Sequence, residues 1–83
     1  MRSYTIVLTA EPDGSAYNVQ VPAIDGCVTY GVTVEDAIIR AREVIVLMLN
    51  QVIEDGEEVP DDVQTLVTTV DVDIEVSKLT VAT

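Results

Sequence analysis

The sequence predicts a small α+β domain: an antiparallel sheet of three to four strands with one long helix packed on one face, in the order β-β-β-α-β. Three observations carry that prediction. Apolar and polar residues alternate with period two in the first 30 positions and again after position 70. Between these stretches lies a single segment of helical periodicity with start and stop signals at its ends, and turns containing Gly or Pro punctuate the N-terminal half.

The first strand is expected over residues 3–9, with Tyr4, Ile6 and Leu8 on one face and Thr5, Val7 and Thr9 on the other. Glu11-Pro12-Asp13-Gly14 follows as a turn, combining a fixed φ, an Asx-capable side chain and a residue free to take positive φ. A second strand then presents Tyr17, Val19 and Val21 to the core and Asn18 and Gln20 outward, forming an antiparallel hairpin with the first. Pro22 lacks a ladder donor and ends it. After a short connection, residues 27–30 form a third strand before Gly31.

Thr33 is the N-cap of a helix over residues 34–55, with Asp36 as a shortened capping-box acid and Gly56 at the αL stop. Val34, Ala37, Ile38, Ala41, Val44, Ile45, Met48, Leu49 and Val52 fall in one broad sector as the core face. Ile39, Val46 and Ile53 repeat every seven residues on a second stripe about 100° away, which a helix on one sheet leaves polar. These three are candidates for an oligomer interface. Residues 54–62 read as a solvated acidic loop. From Val70 the period returns to two, with Val70, Val72, Ile74 and Val76 opposite Asp71, Asp73 and Glu75, which predicts a fourth strand. The alternation changes phase at Ser77 and Lys78, where a bulge, a turn or an exchanged tail is expected.

The chain has 83 residues, enough for one domain, and a chain of this size buries only about 60 to 65% of its unfolded surface. Oligomerisation is the expected remedy, because a single cysteine, Cys27, closes no intrachain disulfide and no histidine is present to ligate zinc. The lone thiol and the lack of a signal-peptide pattern or a membrane-length apolar run suit a cytoplasmic protein. The net charge of −11 disfavours direct contact with phosphate backbones and favours a basic protein partner.

Little in the composition supports catalysis. Nucleophilic chemistry needs an activated nucleophile beside a base, and no histidine exists to serve as one. Cys27 opens an apolar strand with no cation near it in sequence, as a buried structural cysteine does. The acidic loop lacks EF-hand spacing, so neither cofactor nor metal is expected. Asp71, Asp73 and Glu75 read as the wet side of a sheet or a charged edge.

The run Asp13-Gly14, Tyr17-x-Val19-x-Val21-Pro22-x-Ile24-x-Gly26-Cys27-x-Thr29-x-Gly31-x-Thr33-x-Glu35-Asp36-Ala37, followed by Gly56-x-x-Val59-Pro60, resembles the HicB-like antitoxin family. The resemblance covers about the first three quarters of the chain. It implies a partial ribonuclease H-like fold without that enzyme's active-site carboxylates, and a small basic ribonuclease toxin (HicA-like) of a type II toxin-antitoxin system as partner. Gly26 and Gly31 would then bracket the third strand and give the backbone freedom to turn into the helix cap. Many members of the family carry a C-terminal DNA-binding domain. This sequence ends strand-like at Thr83, so the short, stand-alone form is expected.

The toxin-facing candidates are Glu54, Asp55, Glu57, Glu58, Asp61, Asp62, Asp71, Asp73 and Glu75. Two other readings stay open: an orphan protein-binding domain without a cognate toxin, and a metal-dependent hydrolase of ribonuclease H descent, which would need carboxylates such as Asp13, Asp25, Asp71 and Asp73 to converge.

Overall fold

A computed structural model describes residues 1–75. Its elements are β1 (Val7–Ala10), β2 (Tyr17–Gln20), β3 (Val28–Gly31) and α1 (Val34–Glu54), with the strands in one antiparallel sheet of order β1-β2-β3. The predicted hairpin forms. The Gly14 amide donates to the Glu11 carbonyl (2.9 Å), the Ser15 amide donates to Asp13 Oδ1 (2.9 Å), and Gly14 has φ 75°. Leu8 faces Val19, and Val19 faces Thr29. Residues opposite one another in a ladder share a face, so Leu8, Val19 and Thr29 point toward the helix while Thr9, Asn18 and Tyr30 point away.

The core is small and falls into two clusters. Val19, Ala37 and Ala41 form one, flanked by Ile6, Leu8 and Tyr17; Val21, Ile24 and Cys27 form the other, flanked by Tyr4, Val44, Ile45, Met48 and Leu49. Cys27 is free and buried, and desolvation raises its thiol pKa above the ordinary value, the setting of an inert structural cysteine. The loop around it is closed by its own backbone: Val21 N–H donates to the Cys27 carbonyl and Cys27 N–H to the Ile24 carbonyl.

Helix α1 begins as expected, with the Asp36 amide donating to Thr33 Oγ1 (3.0 Å). The Asp36 carboxylate does not return to the N-cap amide. It accepts from Val32 N–H (3.0 Å), one residue earlier, and from Arg40 Nε (3.2 Å), and these contacts, the Val32 bond first, hold its pKa below the usual carboxylate range. At the other end Gly56 takes φ 73°, Gly56 N–H donates to the Ile53 carbonyl, and Glu57 N–H donates to the Val52 carbonyl, which is a Schellman closure.

Three expectations are corrected. Gly31 is required for space and not for backbone freedom: its φ is ordinary, but a Cβ there would overlap the Ala37 backbone nitrogen, whereas Gly26 does take positive φ (72°). The core face of α1 is narrower than its periodicity predicts, because Val34 and Ile38 remain exposed beside a sheet of only three short strands. The fourth strand does not form among the described residues: no ladder includes residues 57–75, and Val70, Val72 and Ile74 are 79, 70 and 56% exposed. A strand needs a hydrogen-bonding neighbour, and alternation alone supplies none. The phase change at Ser77 and Lys78 lies outside the described residues.

The chain after the helix is nevertheless anchored. Tyr4 Oη donates to the Pro60 carbonyl, Thr5 N–H and Oγ1 donate to the two Asp62 carboxylate oxygens (2.9 and 2.7 Å), and Arg2 pairs with Asp61 (3.0 Å). Residues 60–62 are thereby tied to the segment that leads into β1, and the chain beyond them extends as an arm.

Two predictions follow from this architecture. Gly31→Ala forces the helix start away from β3 and should lower stability by about 1–3 kcal/mol, the usual cost of overpacking; an unchanged urea midpoint would show that the close approach is absent in solution. Asp62 has a depressed pKa, caused first by the Thr5 amide and then by the Thr5 hydroxyl. A carboxylate of this kind stabilises the fold above its unfolded pKa, about 4, and the contribution disappears as pH falls through the lower folded value. The Thr5 amide resonance should therefore hold steady from neutral pH to about 4 and move below it, and Asp62→Ala should shift it already at neutral pH.

Candidate functional site

The candidate site is a surface and not a cavity. Among the described residues no three His, Cys, Asp or Glu side chains are grouped to hold a metal ion, and no helix is long and apolar enough to cross a membrane.

The acidic candidates divide by what they do locally. Glu54 is the last helical residue and Asp55 the C-cap, where Asp55 Oδ1 accepts from Gln51 Nε2 (3.0 Å). Glu57 and Glu58 are exposed directly after Gly56, at the helix end whose dipole is negative and whose last turn carries no basic residue. Asp61 and Asp62 hold the N-terminal segment, so their carboxylates are engaged before any partner arrives. Asp71, Asp73 and Glu75 lie exposed on the arm. Thus the structure brings Glu54, Asp55, Glu57 and Glu58 together at one end of α1, places the arm carboxylates on a separate segment, and gives Asp61 and Asp62 structural roles that the charge pattern did not reveal. Their signal in the sequence is faint: an Arg-x-Tyr-Thr start that offers donors to an acidic return segment.

The oligomer candidates Ile39, Val46 and Ile53 are 51, 53 and 60% exposed, and Leu47 beside them is also exposed. Nothing else in the described chain covers that stripe. The sheet face opposite the helix is bare too, with Asn18 and Gln20 bordered by Val28 and Tyr30, and Arg40 lies over the Tyr30 ring at 5.7 Å.

A third surface was not foreseen. Between the N-terminal segment and α1 runs an open cleft of about 280 Å³ whose lining includes Arg2, Tyr4, Ile6, Ile38, Arg42 and Ile45. It lies beside β1, on the flank that the helix leaves uncovered because α1 packs on β3 and to a lesser degree on β2. It also gathers two of the four cations in the whole sequence.

Comparison with known proteins agrees with this architecture. A UPF0150 protein of Thermoplasma acidophilum is 37% identical over 59 residues, which cover 71% of this chain and 84% of that protein. The model of the HicB_like antitoxin of bacterial toxin-antitoxin systems matches residues 4–82, nearly the whole sequence. The chain belongs to the HicB-like antitoxin family.

Proposed function

We propose that this chain binds and neutralises a small basic ribonuclease toxin (HicA-like) of a type II toxin-antitoxin system, as a non-catalytic cytoplasmic inhibitor that needs no cofactor. The observation that carries the reading is the exposed carboxylate group at the C-terminal end of α1, in a chain of net charge −11 belonging to an antitoxin family. A ribonuclease that grips RNA phosphates presents cationic surface, and acidic groups compete for it. The same charge disfavours direct contact between this chain and nucleic acid. Electrostatic attraction acts mainly on the association rate and is screened over about 8 Å at physiological salt, while buried apolar contacts govern dissociation.

The test is capture from native lysate followed by kinetics. The tagged chain should retain a small basic protein whose ribonuclease activity it suppresses; capture of no such protein would favour the orphan reading. Association should slow as salt rises. Glu57→Gln with Glu58→Gln should slow it similarly with the fold intact, a cleaner pair than Asp61 and Asp62, which hold the N-terminal segment. If only neutralising Asp71, Asp73 and Glu75 has an effect, the arm and not the helix end is the toxin-facing surface. If neither substitution nor salt matters, the electrostatic mechanism is wrong.

The stripe of Ile39, Val46 and Ile53 is the proposed subunit interface of a homo-oligomer, since half-exposed branched residues at heptad spacing suit a helix-to-helix contact. Val46→Glu would bury an unpaired charge there. Sedimentation should show a smaller assembly, and an unchanged one would remove the stripe from the interface.

A further inference from the structure

We infer that two copies of this chain exchange arms, residues 70–75 of each adding as a strand to the open β1 edge of the other. The inference stands independently of the toxin reading and concerns a different surface from the helix stripe.

The receiving edge follows from the register. Glu11 N–H donates to the Ala16 carbonyl, so Glu11 and Ala16 are a hydrogen-bonded pair. Such pairs alternate along an antiparallel ladder, which makes Thr9 with Asn18 and Val7 with Gln20 the next ones. The backbone amides and carbonyls of Leu8 and Ala10 therefore point away from β2, along an edge that no described strand covers. An uncovered edge of this kind is a template for an added strand. The other edge strand, β3, is the one on which α1 mainly packs, with Arg40 lying over the Tyr30 ring.

The arm has the matching properties. Its apolar residues Val70, Val72 and Ile74 alternate with Asp71, Asp73 and Glu75, the pattern of a strand with one face buried. In the single chain that face is in water, and Leu66 and Val67 before it are exposed as well. Six extended residues span about 20 Å, close to the length from Tyr4 to Ala10. Beside that edge the cleft offers Ile6, Ile38 and Ile45 to an apolar face, while Arg42 places positive charge where an acidic segment would enter, Arg2 being paired with Asp61. Arg42 makes no ion pair among the described residues.

A second copy is the occupant that fits both halves. A basic partner would be repelled by Arg42, unpaired among the described residues, whereas the acidic, alternating arm is attracted. Asp61 and Asp62, at the root of the arm, are tied to Arg2 and Thr5 just before β1. Each arm thus departs beside the edge that receives the other, and a two-fold axis there closes the exchange reciprocally. The acidic row of the arm stays outward in this arrangement.

The test uses the full chain. A photo-crosslinking amino acid in place of Val72, in a mixture of isotopically heavy and light copies, should give heavy-to-light crosslinks to residues 4–10 or to the cleft wall on α1. Val72→Pro, which removes a ladder donor from a segment not packed on its own body, should lower the sedimenting mass roughly two-fold, as loss of one isologous joint requires, with helix content unchanged. The inference is overturned if wild-type protein is monomeric at micromolar concentration, if Val72→Pro leaves the mass unaltered, or if crosslinks fall within one chain, on β3, or on the Ile39, Val46 and Ile53 stripe.

Discussion

The close approach of α1 to the sheet is the contact on which the other features depend. It is possible because three small residues meet: Gly31 at the end of β3, and Ala37 and Ala41 on the first two turns of the helix, both fully buried. A side chain at Gly31 would occupy the position of the Ala37 backbone. With the helix start held there by Thr33 and Asp36, the remaining turns run over β3 and β2, and Val44, Ile45, Met48 and Leu49 reach the loop core around Ile24 and Cys27. The same placement leaves the β1 flank uncovered.

That asymmetry explains why so much apolar surface remains in water. Among the described residues the buried core contains only Val19, Val21, Ile24, Cys27, Ala37 and Ala41. Larger residues such as Ile38, Val46, Leu47 and Ile53 on α1 and Val70 and Val72 on the arm stay exposed. Fully burying a side chain of this class is worth about 1.5–3 kcal/mol, so contacts between chains have more apolar material to draw on than the single chain has used. A chain of this size has little stability to spare, so the proposed assembly would be coupled to folding.

Charge is distributed with a similar division of labour. Asp36 orders the helix start, Asp62 and Asp61 hold the return segment, and each makes a defined contact with an amide, a hydroxyl or an arginine. The acids around Gly56 and on the arm lie on the surface, and the negative end of the α1 dipole adds to the field at the first of these sites. At the helix end, where the last turn carries no basic residue, the gathered like charges repel one another. A cationic surface would relieve that repulsion, which is the physical argument behind the proposed basic partner.

The sequence by itself determined the features whose causes are local. Alternation identified the inward residues Leu8, Val19 and Val21, the Glu11-Pro12-Asp13-Gly14 turn formed where its residue types require, and α1 starts and stops at Thr33 and Gly56 because caps act within one turn. The family was legible in the spacing of Gly, Thr and acidic residues from Gly26 to Ala37. The tertiary structure decided what depends on partners distant in sequence. Gly31 makes room for the backbone of Ala37 on the helix, Asp62 caps Thr5 across 57 residues, and the cleft by β1 exists only because the helix packs to one side. Residues 70–75 show the limit most clearly: alternation specifies a segment able to become a strand, but a strand exists only where another backbone pairs with it, and among the described residues none does.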